Sequence, residues 1–191
     1  MKKFPIIITA ILSFLLFSFK PIGTPVWIAD KAHSRISFTI THNMLSDVEG
    51  SFKSFDATIN ATGDDFAGST IEFAADAASI STDNDYRDKE VKSQELLDVE
   101  KFPKIMFRST AVTKITASTY KIVGDLTLHG VTKRVNLDAF VRTGTGMHNK
   151  PGAGFKISGT INRRDFGITK YPAAMLGDEI TLNANGEFDR D

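Results

Sequence analysis

Residues 120–141 read YKIVGDLTLHGVTKRVNLDAFV, and the alternation inside this stretch decides the architecture. Tyr120, Ile122, Gly124, Leu126 and Leu128 share one face, while Lys121, Asp125, Thr127 and His129 share the other. A period of two is what a half-buried strand uses and a helix does not. After a tight turn at His129-Gly130 the pattern resumes with Val135, Leu137, Ala139 and Val141. The stretch is a β-hairpin with one apolar and one wet face.

The same period extends in both directions. Upstream, Ile36, Phe38, Ile40 and His42 lie on one side of a first long strand that starts at Arg35. Val48, Gly50 and Phe52 open a second strand, whose apolar phase then slips by one residue to Phe55, Ala57, Ile59 and Ala61, as a bulge or sharp bend requires. Ile71, Phe73 and Ala75 mark a third strand; Ile105, Phe107 and Ala111 mark a fourth. The hairpin supplies the fifth (120–129) and sixth (132–143). Phe155, Ile157, Gly159 and Ile161 make a seventh, and Ile180, Leu182, Ala184, Gly186 and Phe188 an eighth. Eight strands on short turns predict an all-β, up-and-down antiparallel sheet that removes its edges by closing into a barrel. A two-sheet sandwich is the alternative. One or two short helices are expected within 82–97, between strands three and four, with Thr82 or Asp83 as cap. The glycine-rich run 144–154, which holds His148, reads as a flexible loop.

The first residues differ in kind. Lys2 and Lys3 precede an apolar run from Phe4 to Phe19, followed by Lys20, Pro21, Gly23 and Pro25. That is the layout of a secretory signal, so residues 1–24 are expected to be removed, leaving a single domain over 25–191 in the periplasm or outside the cell. An uncleaved anchor is the alternative, but the run is shorter than the roughly 20 residues that span a bilayer. There is no cysteine in the 191 residues, so the fold stands without disulfides. Losing Lys2, Lys3 and Lys20 takes 23 basic residues to 20 against 23 acidic ones, a net charge near −3. A mildly acidic domain without a basic cluster excludes nucleic acid as a partner.

A closed barrel of about eight strands is either just filled by side chains or holds one small ligand. Here the inward sets mix Phe and Ile with small residues, namely Gly50, Ala57, Ala61, Ala75, Gly124, Ala139, Gly159, Ala184 and Gly186. If the small ones leave space, the interior is an elongated apolar tunnel; if they only suit the taper, it is filled. The tunnel's wall would be Phe38, Ile40, His42, Phe52, Phe73, Ile105, Phe107, Ile122, Leu126, Leu137, Phe155, Ile157, Phe166 and Leu182. At about 0.8 kcal/mol per methylene, ten buried chain carbons give roughly 8 kcal/mol before ordering costs, or about micromolar affinity.

Polar candidates are few. His42 follows the inward phase and could hydrogen-bond a head group, or be a satisfied core histidine. His33 sits in Asp30-Lys31-Ala32-His33-Ser34, a turn fixed by side chain to backbone bonds. His129 is a turn residue. Arg87 and Arg164 are further head-group candidates, against a structural reading in which Arg-Asp pairs pin a helix or loop to the barrel rim. Arg163 and Arg164, as neighbours at a strand end, are expected to point to opposite faces and not to grip one phosphate. No histidine pair has zinc spacing, so no metal or other cofactor is expected. Nucleophile motifs, phosphate loops and paired carboxylates are also lacking, so no catalytic residue is assigned.

The turn wording LTLHGVTKRV resembles the central motif of the YceI-like family of bacterial lipid and polyisoprenoid-binding proteins. From Trp27 onward the likeness continues in order: Asp30, His33 and Ser34; Phe38 and His42; Gly50 and Phe52; Ser79-Ile80-Ser81-Thr82 with Asn84; Arg87-Asp88; Lys92-Ser93; Leu97-Asp98; Phe102-Pro103; Phe107 and Ser109. Gly124-Asp125-Leu126-Thr127, Gly130-Val131-Thr132, Arg164-Asp165-Phe166-Gly167 and Gly177-Asp178-Glu179-Ile180 complete it. One departure is Glu90-Val91, where the family shows His-Leu. The resemblance implies a lipocalin-like barrel holding a long isoprenoid lipid, a quinone or a prenyl phosphate, with transient membrane contact and a homodimer as further expectations. An enzyme using His42 and a rim acid, or an envelope protein with a filled barrel, are the competing readings.

Overall fold

The computed structural model describes residues 26–61, 63, 65–146 and 149–191; the expected leader and His148 lie outside them. Ten strand segments follow in order: β1 (Val26–His42), β2 (Ser46–Phe52), β3 (Phe55–Asn60), β4 (Thr70–Asp76), β5 (Ile80–Ser81), β6 (Lys104–Lys114), β7 (Thr119–Leu128), β8 (Val131–Thr145), β9 (Pro151–Asn162) and β10 (Leu176–Arg190). Every pairing is antiparallel, and β10 pairs back onto β1 from Trp27↔Arg190 to His42↔Leu176, which closes the sheet. β2 and β3 are halves of one stave broken at Lys53 and Ser54, and a 3-10 turn at Ala77–Ser79 separates β4 from β5 in the next. Ten segments thus make the eight-stranded antiparallel barrel, one closed sheet and not a sandwich.

The hairpin at 120–141 behaves as its alternation requires. Tyr120, Ile122, Gly124, Leu126 and Leu128 are buried in β7, and Val135, Ala139 and Val141 in β8. His129 and Gly130 both take positive φ, 52° and 73°, the type I′ geometry whose twist suits a two-residue hairpin. The break at Lys53 and Ser54 falls where the apolar phase slips between Phe52 and Phe55.

Four local expectations differ from the structure. β1 begins at Val26, and the segment expected as a turn before it is a bulge within it, with a register shift between Asp30 and Arg35. Asp30 fixes that bulge by accepting from the Ala32 N–H (2.9 Å) and pairing with His33 Nδ1 (2.7 Å). The pairing holds the Asp30 carboxyl below its ordinary pKa and the His33 imidazole above its own. In β6 a register shift between Ser109 and Ala111 turns Ala111 outward and buries Val112 instead. Within the run 144–154, residues 144, 145 and 151–154 are strand, with Gly144↔Gly152 and Arg142↔Gly154 paired, and a Cβ at Gly152 would lie 2.8 Å from Gly146. The helix α1 (Asp85–Lys92) is capped by Asn84, whose side chain accepts from the Arg87 N–H; Thr82 instead donates to Asp88.

Glycines on the inner face are sites of contact, not of empty space. A Cβ at Gly50 would lie 2.4 Å from the Phe38 ring, one at Gly124 2.3 Å from the Phe107 ring, and one at Gly159 2.4 Å from Leu137. Large side chains therefore lie flat across neighbouring glycines, and that posture keeps them out of the bore. At Gly124 the Arg108 carbonyl oxygen is also 2.6 Å away, and backbone cannot move aside as a ring can. Gly124→Ala is expected to cost about 1–3 kcal/mol by overpacking, measurable as a lowered denaturation midpoint.

Candidate functional site

One end of the barrel is a packed aromatic floor. Trp27, wholly buried, meets Phe66 edge-on at 5.1 Å; Phe66 meets Phe155 at 4.8 Å, and Phe155 meets Phe188 at 5.1 Å. Phe66 comes from the β3–β4 connection, which is held in place where Asp65 pairs with Lys114 and accepts from the Tyr120 hydroxyl. Above this floor the barrel is hollow. Ile36, Phe38, Phe73, Leu137, Ile157 and Leu182 line the interior yet remain half-buried, because no side chain opposite fills the space they face. The cavity measures about 260 Å³. An apolar void of roughly 150 Å³ already stays dry and takes a hydrocarbon guest, so water gains little here.

The other end carries a lid. Val91, Leu96 and Leu97, from α1 and the segment after it, line the cavity from one side, and Ile168 and Leu176 from the other. Two contacts join these segments: the Tyr171 hydroxyl donates to the Glu90 carboxylate, and Lys170 pairs with Glu95. The Glu90 bond holds the Tyr171 phenol above its ordinary pKa. Glu90, the departure from the family wording, therefore has a partner of its own in this chain.

Arg163 organises the lid from beneath. It is 1% exposed in a 3-10 turn, Arg163–Phe166. All five of its N–H donors are used on carbonyls: Gly177 (2.9 Å), Ile168 (2.8 Å), Lys170 (2.7 Å), Tyr171 (2.9 Å) and Leu176 (2.9 Å). Asp178, 2.9 Å from Nη2, supplies the counter-charge. Burial pushes the guanidinium pKa down while Asp178 acts the other way.

Of the residues expected on the wall, Phe38, Ile40, Phe52, Phe73, Ile105, Phe107, Ile122, Leu126, Leu137, Phe155, Ile157 and Leu182 line the cavity. Phe166 is buried but packs outside it. His42 is exposed and off the cavity lining: the β1–β2 ladder runs unbroken to His42↔Ser46, but His42 is the last residue of β1, at the rim before the turn.

The other two head-group candidates also lie off the cavity lining. Arg87 donates to the Thr82 hydroxyl (2.8 Å) and carbonyl (2.7 Å), tying α1 to the residue that follows β5. Arg164 bonds Asp178 (2.6 Å) and the Tyr171 carbonyl (3.0 Å). Arg163 points in and Arg164 out, as strand neighbours would, yet both reach Asp178 Oδ1 because they sit in a 3-10 turn. The sequence reading missed Val91 in α1, Leu96, Leu97 and Ile168 in loops and Leu176 at the start of β10, because no run of strand alternation extends through them; their apolar character in polar surroundings was the available signal. No group of three or more His, Cys, Asp or Glu placed to hold a metal occurs among the described residues.

Comparison with known proteins agrees with this geometry. A UPF0312 protein of Staphylococcus aureus (strain bovine RF122 / ET3-1) is 36% identical over 168 residues, 83% of this chain and 94% of that protein. The crystal structure of the Campylobacter jejuni YceI protein superposes with a TM-score of 0.71 at 30% identity, covering 77% of this chain and 86% of the other. Burkholderia cenocepacia BcnA (TM-score 0.75, 21% identity, 83% and 98% covered) shares the fold. So does a domain from Saccharophagus degradans described as polyisoprenoid binding (TM-score 0.65, 12% identity, 87% and 98% covered). The model of the YceI-like domain matches residues 27–188, and the chain belongs to that family.

Proposed function

We propose that this protein is an exported carrier that holds the chain of a long isoprenoid lipid, such as a quinone or a prenyl phosphate, inside the barrel and shields it from water. The observation that carries the reading is the hollow bore, whose inward aliphatic and aromatic side chains stay half-buried around about 260 Å³ of empty space. The name of the Saccharophagus degradans neighbour, a polyisoprenoid binding domain, is consistent with it. Binding without reaction is supported by the lining, which includes no histidine and no carboxylate to act as general acid or base. Export is supported by the signal-like layout of residues 1–24.

Transient membrane contact is supported by the β1–β2 turn. There Met44 is 73% and Leu45 88% exposed, beside Met175, whose carbonyl accepts from the Asn43 N–H. The test is native mass spectrometry of protein purified from its host, with displacement of a fluorescent polyene by a polyprenol. The expected result is a bound lipid mass and about micromolar displacement. Protein that carries no extractable lipid and binds neither probe would end the reading.

A further inference from the structure

An anionic head group on a chain inside this bore needs a cation, and the bore offers none that is free. Among the described residues Arg163 is the one Lys or Arg in the lining, and all its donors are engaged by carbonyls. The floor is aromatic, and the lid presents leucine and valine. The wall, however, is interrupted. β1 pairs with β3 only as far as Ile28↔Thr58 and takes up β2 at Ile36↔Phe52, so residues 29–35 of one stave and 53–57 of the other form no ladder with each other. In the interruption lies a second cavity, about 520 Å³ and polar, between the β1 bulge and the Lys53-Ser54 break. Ser34, Phe52, Phe55 and Asn185 line both cavities, so they stand between the two.

Four bases edge this outer cavity, Lys31, His33, Arg35 and Lys53, together with the Ser54 backbone and side chain. Lys31 is committed to Asp56 and His33 to Asp30. Arg35 and Lys53 have no side-chain hydrogen bond or ion pair among the described residues, and both are exposed. The bulge that carries Arg35 is built, being pinned by Asp30, and Ser34 within it lies over Gly186, where a Cβ would meet its hydroxyl at 2.4 Å.

We propose that the break between β1 and the β2–β3 stave is a side portal through which the ligand's head group leaves the bore, and that Arg35 and Lys53 bind it there as a phosphate ester. This rests on the carrier reading and names the ligand class that reading left open. The chain lies among Phe38, Phe52 and Leu182, and the charge stays in water at the outer cavity. Neither partner is then buried unpaired, which would be costly.

The test compares a prenyl phosphate with the prenol of the same length, by displacement of a fluorescent polyene from the full chain, with Arg35→Gln/Lys53→Gln beside the unsubstituted protein. The unsubstituted protein is expected to prefer the phosphate, and the double substitution to cut that preference by about tenfold or more. Inorganic phosphate at matched concentration is expected not to compete. If neither lipid binds the unsubstituted protein, the carrier reading fails with this one. If both bind and the preference is absent or survives the substitutions, the portal fails alone. If inorganic phosphate competes equally, the outer cavity is a free-anion site and the portal is again overturned.

Position is tested separately, since the chain has no cysteine and a single one can be labelled. A nitroxide at Ala32→Cys should broaden the ³¹P signal of bound prenyl phosphate more than one at Leu45→Cys, at the turn joining β1 to β2. The reverse order would place the head group at the lidded end.

Discussion

Arg163→Met is expected to lower stability by about 3–5 kcal/mol, which for a domain of this size is roughly 10 °C in melting temperature. Methionine fills much of the same volume but donates nothing, so the carbonyls of Gly177, Ile168, Lys170, Tyr171 and Leu176 lose their common partner. Asp178 keeps only the exposed Arg164. A buried polar group without a partner costs about 1–3 kcal/mol, and several are orphaned at once. The loss should be local before it is global: hydrogen exchange should rise first across 168–177 and then in α1, which the Tyr171–Glu90 and Lys170–Glu95 contacts tie to that loop. Arg163→Lys restores a charge for Asp178 but only three donors for five carbonyls, so its midpoint should fall between the two. A Met variant that melts with the parent would show that the carbonyl cage contributes nothing.

Filling the bore should separate binding from stability, because the two effects have opposite signs. Ala184 lines the cavity on β10 between Ile36 and Ile157 and is half-buried. Ala184→Trp places an indole in a space of about 260 Å³. If it excludes about four chain carbons, it removes roughly 3 kcal/mol, about two orders of magnitude in affinity for a long-chain ligand. The empty protein, in which the indole packs against walls that otherwise face a void, should be as stable as the parent or more so. Ala57→Trp, on β3, repeats the test from another stave. Polyene displacement and thermal denaturation on the same samples read both quantities. Full affinity in both tryptophan variants would mean that the chain does not lie in the bore.

Most of the barrel was legible because strand alternation is a local property. Tyr120 to Leu128 must put alternate residues on one face wherever the strand lies, and the slip from Phe52 to Phe55 must bend the chain whatever it packs against. The wall was legible for the same reason, since twelve inward residues from Phe38 to Leu182 follow the period directly. Where the period is locally reset or ends, the reading went astray. Ala111 sits just beyond a register shift, which depends on the partner strand as well as on the residue's own neighbours, and His42 keeps its phase but ends its strand at the barrel rim, a position that alternation alone does not give.

The sequence by itself determined eight amphipathic staves, the His129-Gly130 turn and an apolar inner face, because each depends on residues a few positions apart. Only the tertiary structure decided that this face encloses empty space. That outcome turns on Phe38 lying across Gly50, Phe107 across Gly124 and Leu137 across Gly159, contacts between strands whose relative register no single strand encodes. It likewise gave Arg163 its cage of carbonyls and left the β1 bulge facing the Lys53-Ser54 break. Residues distant along the chain meet there only after the sheet has closed.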